Sequence, residues 1–63
     1  MEIEIYDRVG GDTLFKLNLP ASEIANYVAL VKAHGVEDTK GNEYKFNDAK
    51  LFNGGFLVYV ENA

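Results

Sequence analysis

Residues 2–9 alternate between apolar and polar. Ile3, Ile5 and Val9 fall on one side, with Asp7 breaking the series, and Glu2, Glu4, Tyr6 and Arg8 fall on the other. A period of two is the mark of a strand with one buried face. Gly10-Gly11-Asp12 follows as a turn, since glycine reaches positive φ without a Cβ clash. Alternation resumes over residues 13–19, with Thr13, Phe15, Leu17 and Leu19 on one side and Leu14, Lys16 and Asn18 on the other. Two alternating runs about a Gly-Gly turn predict a β-hairpin.

Pro20 ends the second strand, because it offers no N–H to a ladder, and suits the start of a helix. From there the spacing changes to i, i+3, i+4, i+7: Ile24, Tyr27, Val28 and Val31 form one stripe, which Leu30 widens. Glu23 in the first turn and His34 in the last complement the helix dipole. Gly35 is a natural stop, with Val36 placed for the apolar contact that often follows one. The helix is predicted over roughly residues 21–34.

Residues 36–42 are polar and read as an exposed loop. Residues 43–46 alternate, Asn47-Asp48 marks a turn or bulge, and Lys50-Leu51-Phe52 leads into Asn53-Gly54-Gly55. Asn-Gly between apolar runs signals a second hairpin. Its last strand, Phe56 to Val60, is apolar on both faces, as in a strand central to a covered sheet or part of an interface. The expected fold is α+β and ββαββ-like: two β-hairpins flank one α-helix, which packs on one face of an antiparallel sheet. One helix of this length covers one face only. Leu57 and Tyr59, opposite Phe56, Val58 and Val60, are therefore expected at an oligomer interface, with a homodimer the simplest cover.

Length and composition sharpen this picture. The 63 residues form a single domain, 1–63. At about 60 residues a chain buries only about 60% of its unfolded surface, and such domains usually recruit disulfides, metals or partner subunits. With no Cys there is no disulfide, thiolate zinc site or cysteine nucleophile, which again favours an oligomer. An apolar fraction of 48% is too high for disorder. No apolar run approaches the roughly 18 residues of a membrane span. The alternating acidic start is not that of a signal peptide, so the cytoplasm of a bacterium or host cell is the expected compartment.

The chemistry is read mainly by exclusion. Ser22 and His34 stand 12 residues apart on one helix, about 18 Å, too far for a nucleophile–base pair within one subunit. A lone His is no zinc set. Residues 38–43 space oxygens as calcium loops do, but Lys40 occupies a ligand position and no later bidentate Glu follows. Neither Gly pair leads into a helix, so neither cradles phosphate. Glu2 and Glu4 share a strand face and read as a charged outer surface rather than an acid–base pair. Lys45, Phe46, Lys50 and Phe52 interleave cations with aromatics as single-strand binders do, but a net charge of −4 opposes nucleic acid. No cofactor, no metal and no enzymatic activity are expected.

What remains is a small acidic protein-binding module. Its expected partner carries a basic surface, and Glu2, Glu4, Tyr6, Asp7, Asp12, Glu37 and Asp38 are the expected contacts. Size and charge suggest, by analogy alone, an inhibitor of the viral counter-defence type that occupies a nucleic-acid-binding or nuclease surface. A second reading is an oligomeric sponge holding a small nucleotide-like ligand in a tyrosine-lined intersubunit pocket, with Arg8, Lys16 or Lys45 on its phosphates. A third is an accessory subunit of a larger assembly.

Overall fold

The computed structural model describes all 63 residues, Met1 to Ala63. The elements run β1 (Glu2–Asp7), β2 (Asp12–Asn18), α1 (Ala21–His34), β3 (Val36–Glu37), β4 (Glu43–Phe52) and β5 (Gly55–Asn62). The strands form one five-stranded sheet in the order β2-β1-β5-β4-β3. One helix and this sheet make a small α+β fold, and no helix is long and apolar enough to cross a membrane.

The sheet is mixed, not antiparallel as the hairpins suggested: β1 and β5 pair parallel, from Glu2 beside Gly55 to Asp7 beside Val60. The helix explains the direction. Strand β2 ends at Asn18, beside Glu2. Fourteen helical residues rise about 21 Å, which returns the chain to the Asp7 end. From there β4 runs back and β5 must run the same way as β1. The strand that is apolar on both faces then takes the centre of the sheet.

The helix packs on one face only. Beneath it lie Ile3, Ile5, Val58 and Val60, all fully buried, joined by Ile24 and Val31 from the helix and Tyr44 from β4. Phe15, Leu17, Tyr27, Val28 and Phe56 surround this core half-buried. Leu30 points outward, 58% exposed, and does not widen the helical stripe. Helix α1 ends where Gly35, at φ 75°, donates its N–H to the Val31 carbonyl at 2.8 Å. Its Cα sits against the Tyr44 carbonyl oxygen, where no side chain fits.

Three further departures from simple alternation have local causes. Strand β1 stops at Asp7, whose carboxylate accepts the N–H groups of Val9 and Gly10, both at 3.1 Å. Val9 therefore rides on the turn, 80% exposed, instead of joining Ile3 and Ile5. A bulge follows in β2, where Phe15 pairs with Ile5 but Thr13 with Tyr6. This exchanges the expected sides: Leu14 packs against the core, and Thr13 donates its hydroxyl to Glu4 on the outer face. In β4 a second bulge falls at Asn47, between Phe46 paired to Val60 and Asp48 paired to Tyr59. Residues 43–52 are thus one strand, and Val36-Glu37, expected in a loop, pairs with Tyr44 and Glu43 as a short edge strand.

Candidate functional site

The face of the sheet opposite the helix has no cover within the chain. The register sets out its residues in rows. Glu4 of β1 lies beside Leu57 of β5, and Tyr6 lies beside Tyr59. The expected interface residues Leu57 and Tyr59 and the expected partner contacts Glu2, Glu4 and Tyr6 therefore form one continuous surface. On the β2 side stands Lys16, opposite Glu4. On the β4 side Lys50 stands opposite Leu57, Asp48 opposite Tyr59, and Lys45 opposite Glu61.

At its centre the tyrosines are already engaged. Tyr6 and Tyr59 meet edge to face, with ring centroids 5.9 Å apart, the geometry that aligns a positive ring edge with a negative ring face. The Arg8 guanidinium lies 4.8 Å from the Tyr59 ring centroid and donates to the Asn47 side-chain oxygen at 2.9 Å. Asn47 in turn donates to Glu61, which pairs with Lys45 at 3.7 Å. This chain of contacts ties the β1–β2 turn to the β4 bulge across β5. It uses the ring faces and the cation that the nucleotide-sponge reading assigned to a ligand. At the other end of the face the Phe52 ring lies across Gly55, where an added Cβ would meet its Cζ at 2.9 Å. Asn47 and Glu61 were not among the sequence candidates. Only the β4 bulge brings Asn47 to this face, and no local pattern announces it.

The remaining candidates lie elsewhere, so the seven expected partner contacts do not form one site. Asp7 and Asp12 face each other at the closed end of the first hairpin. Glu37 and Glu43 oppose each other across β3 and β4. Next to the second pair is Asp38, which accepts the N–H groups of Lys40 at 2.8 Å and Asn42 at 2.9 Å, the Asn42 side-chain amide at 3.0 Å and the Tyr44 hydroxyl at 3.4 Å. These bonds, the Asn42 side chain first, hold its carboxyl below the usual range. Asp38 organises its own loop, and most of its lone pairs are committed to that role. Tyr44 is pushed up, first by burial and then by the negative charge of Asp38, with smaller contributions from Asp7 and Asp12. The Tyr44 hydroxyl therefore marks where the acidic segments converge.

The distribution of charge separates the two surfaces. On the open face Glu2, Glu4, Asp48 and Glu61 are matched by Arg8, Lys16, Lys45 and Lys50. On the helix Glu23 is matched by Lys32. Five carboxylates, Asp7, Asp12, Glu37, Asp38 and Glu43, stand at the Tyr44 end, where Lys32 and Lys45 line one cleft with Glu37, Glu43 and Tyr44, and Lys40 lies in the loop. Half of the ten carboxylates therefore lie at one end of the molecule.

Other candidate chemistry is dispersed. Ser22 and His34 lie exposed at opposite ends of α1. Phe46 turns inward beneath Lys32, whose Nζ is 5.3 Å from its ring centroid, while Lys45 and Lys50 face outward. Of the interleaved set, Lys45, Lys50 and Phe52 share the open face and Phe46 does not. No three His, Asp or Glu side chains are grouped to hold a metal ion. An open apolar cleft of about 470 Å³ runs between Ile24, Val28 and Phe56, with Lys32 at its rim. No family model, curated protein or solved structure matches the chain.

Proposed function

We propose that this protein is a non-enzymatic binding module that recognises a partner with a basic surface through the acidic end around Tyr44. The observation that carries this reading is the gathering of five of the ten carboxylates, Asp7, Asp12, Glu37, Asp38 and Glu43, at the end of the molecule around Tyr44. A patch of one sign raises the encounter rate with a partner of the other and disfavours wrong ones. The surfaces that fit it belong to proteins that themselves hold nucleic acid, which gives the chain the character of a competitive inhibitor. Asp12, Glu37 and Glu43 are exposed and make no side-chain hydrogen bonds, so they are free to meet the partner, while Asp38 shapes the loop between them.

The test is capture of proteins by the immobilised chain from bacterial and host lysates at about 50 and 500 mM salt, a range over which the screening length shortens from about 14 Å to about 4 Å. The wild type is expected to retain a nucleic-acid-binding protein at low salt, to release it at high salt and to lose it to added oligonucleotide. The Asp12→Lys, Glu37→Lys, Glu43→Lys variant is expected to retain none. Equal capture by wild type and variant rejects the acidic end as the site.

A further inference from the structure

The open face has features that the acidic end does not explain. From the row of Glu2 to the row of Glu61 its charges balance although those of the chain do not, and its centre is apolar and aromatic while its borders carry both signs. A surface made to meet its own copy has this character, since a face of one sign would repel itself. We infer that this face is the interface of a homodimer in which two sheets pack face to face about a two-fold axis running across the strands.

The register places the axis. It passes between the row containing Glu4, Leu57 and Lys50 and the row containing Tyr6, Tyr59 and Asp48. Each strand then lies opposite its own copy, running the other way. Leu57 meets Tyr59 of the second copy, and Lys50 meets Asp48 of the second copy, twice by symmetry. One row further out, Glu2 faces Arg8 of the second copy, and Phe52 faces Lys45 of the second copy, a cation against an aromatic ring. No pair in this arrangement brings like charges together. Packed sheets cross at about 30°, which shifts these neighbours without changing their signs. An axis running along the strands would instead set Lys16 against Lys50 of the second copy.

Four strands at 4.8 Å spacing and three to four outward rows give a footprint of about 20 Å by 20 Å before corrugation is counted. Specific interfaces begin at about 600 Å² of accessible surface per partner. The dimer is accordingly expected to be modest, forming at micromolar rather than nanomolar concentration. It leaves both acidic ends outside the contact, so it is independent of the partner reading and presents two such ends at once.

The test is a charge swap read by solution mass, using sedimentation equilibrium of the full chain from about 1 µM to about 1 mM. The wild type is expected to pass from monomer to dimer mass in this range. Lys50→Asp, which sets two carboxylates against each other at both symmetric contacts, should raise the midpoint concentration at least about tenfold. Adding Asp48→Lys to it restores the opposite signs and should return the midpoint to within about threefold of wild type. Amide spectra of each variant at the lowest concentration verify that the monomer is folded. A wild type that stays monomeric to about 1 mM overturns the inference and leaves the face to a different protein. A dimer that ignores the single reversal, or is not recovered by the swap, overturns this interface.

Discussion

Gly35 ties the helix to the sheet, and its conformation shows how little freedom the site has. It sits at φ 75°, and a Cβ would fall on the Tyr44 carbonyl oxygen, which is backbone and does not yield. Gly35→Ala should lower stability by at least about 2 kcal/mol, strain and clash together, measured as a shift in denaturant midpoint at constant slope. Gly41 has φ 87° but open space around it, so Gly41→Ala should cost only about 1 kcal/mol. Asp38 gives a second test at this scale. Its folded pKa is lowered, so it contributes stability above its unfolded value near 3.9, and that contribution is lost as pH falls through the lower folded value. Asp38→Ala should remove this acid-limb dependence and broaden the amide signals of Lys40 and Asn42. Tyr44 behaves oppositely: its raised pKa contributes stability fully present below about pH 10 and lost as pH rises through the folded value. Tyr44→Phe should flatten part of the alkaline limb, and half-buried Tyr27 accounts for a further part.

Among the elements, the helix and both hairpins were legible because they rest on local signals. Pro20 and Gly35 bracket α1 at Ala21–His34, and glycines sit in both hairpin turns. The bulges were not legible, because each is a choice between two strands rather than a property of one. Alternation alone sends Leu14 outward and Val9 inward, yet the bulge turns Leu14 to the core and the Asp7-anchored turn leaves Val9 in water. Val9→Ser should accordingly change stability by less than about 0.5 kcal/mol, whereas Ile5→Ala, at a fully buried position, should cost about 2–4 kcal/mol. The parallel pairing of β1 with β5 was missed because hairpin signals report neighbours in sequence. Its direction follows only when the helix is counted as one more traverse of the sheet. The slowest amide exchange is expected along this central pair, at Ile3, Ile5, Val58 and Val60, and the fastest in β3.

Across the whole molecule, alternation along single strands has no means of sorting ten carboxylates into surfaces. Glu2 and Asp7 are five residues apart on one strand, yet one belongs to the open face and the other to the acidic end. Leu57 and Tyr59 were identifiable as an uncovered pair because β5 is apolar on both sides, but Arg8, Asn47 and Glu61 join them only through pairing across three elements. On the proposed reading the molecule divides its labour between a carboxylate-rich end for a basic partner and an open sheet face for a second copy. The most direct test is amide shift mapping of the labelled chain while a cationic nucleic-acid-binding domain is added at about 50 mM salt. Shifts are expected to be confined to Asp7–Asp12, Glu37, Asp38 and Glu43 and to vanish at about 500 mM salt. Shifts centred on Leu57 and Tyr59 or on the helix, or shifts that persist at high salt, would contradict that reading.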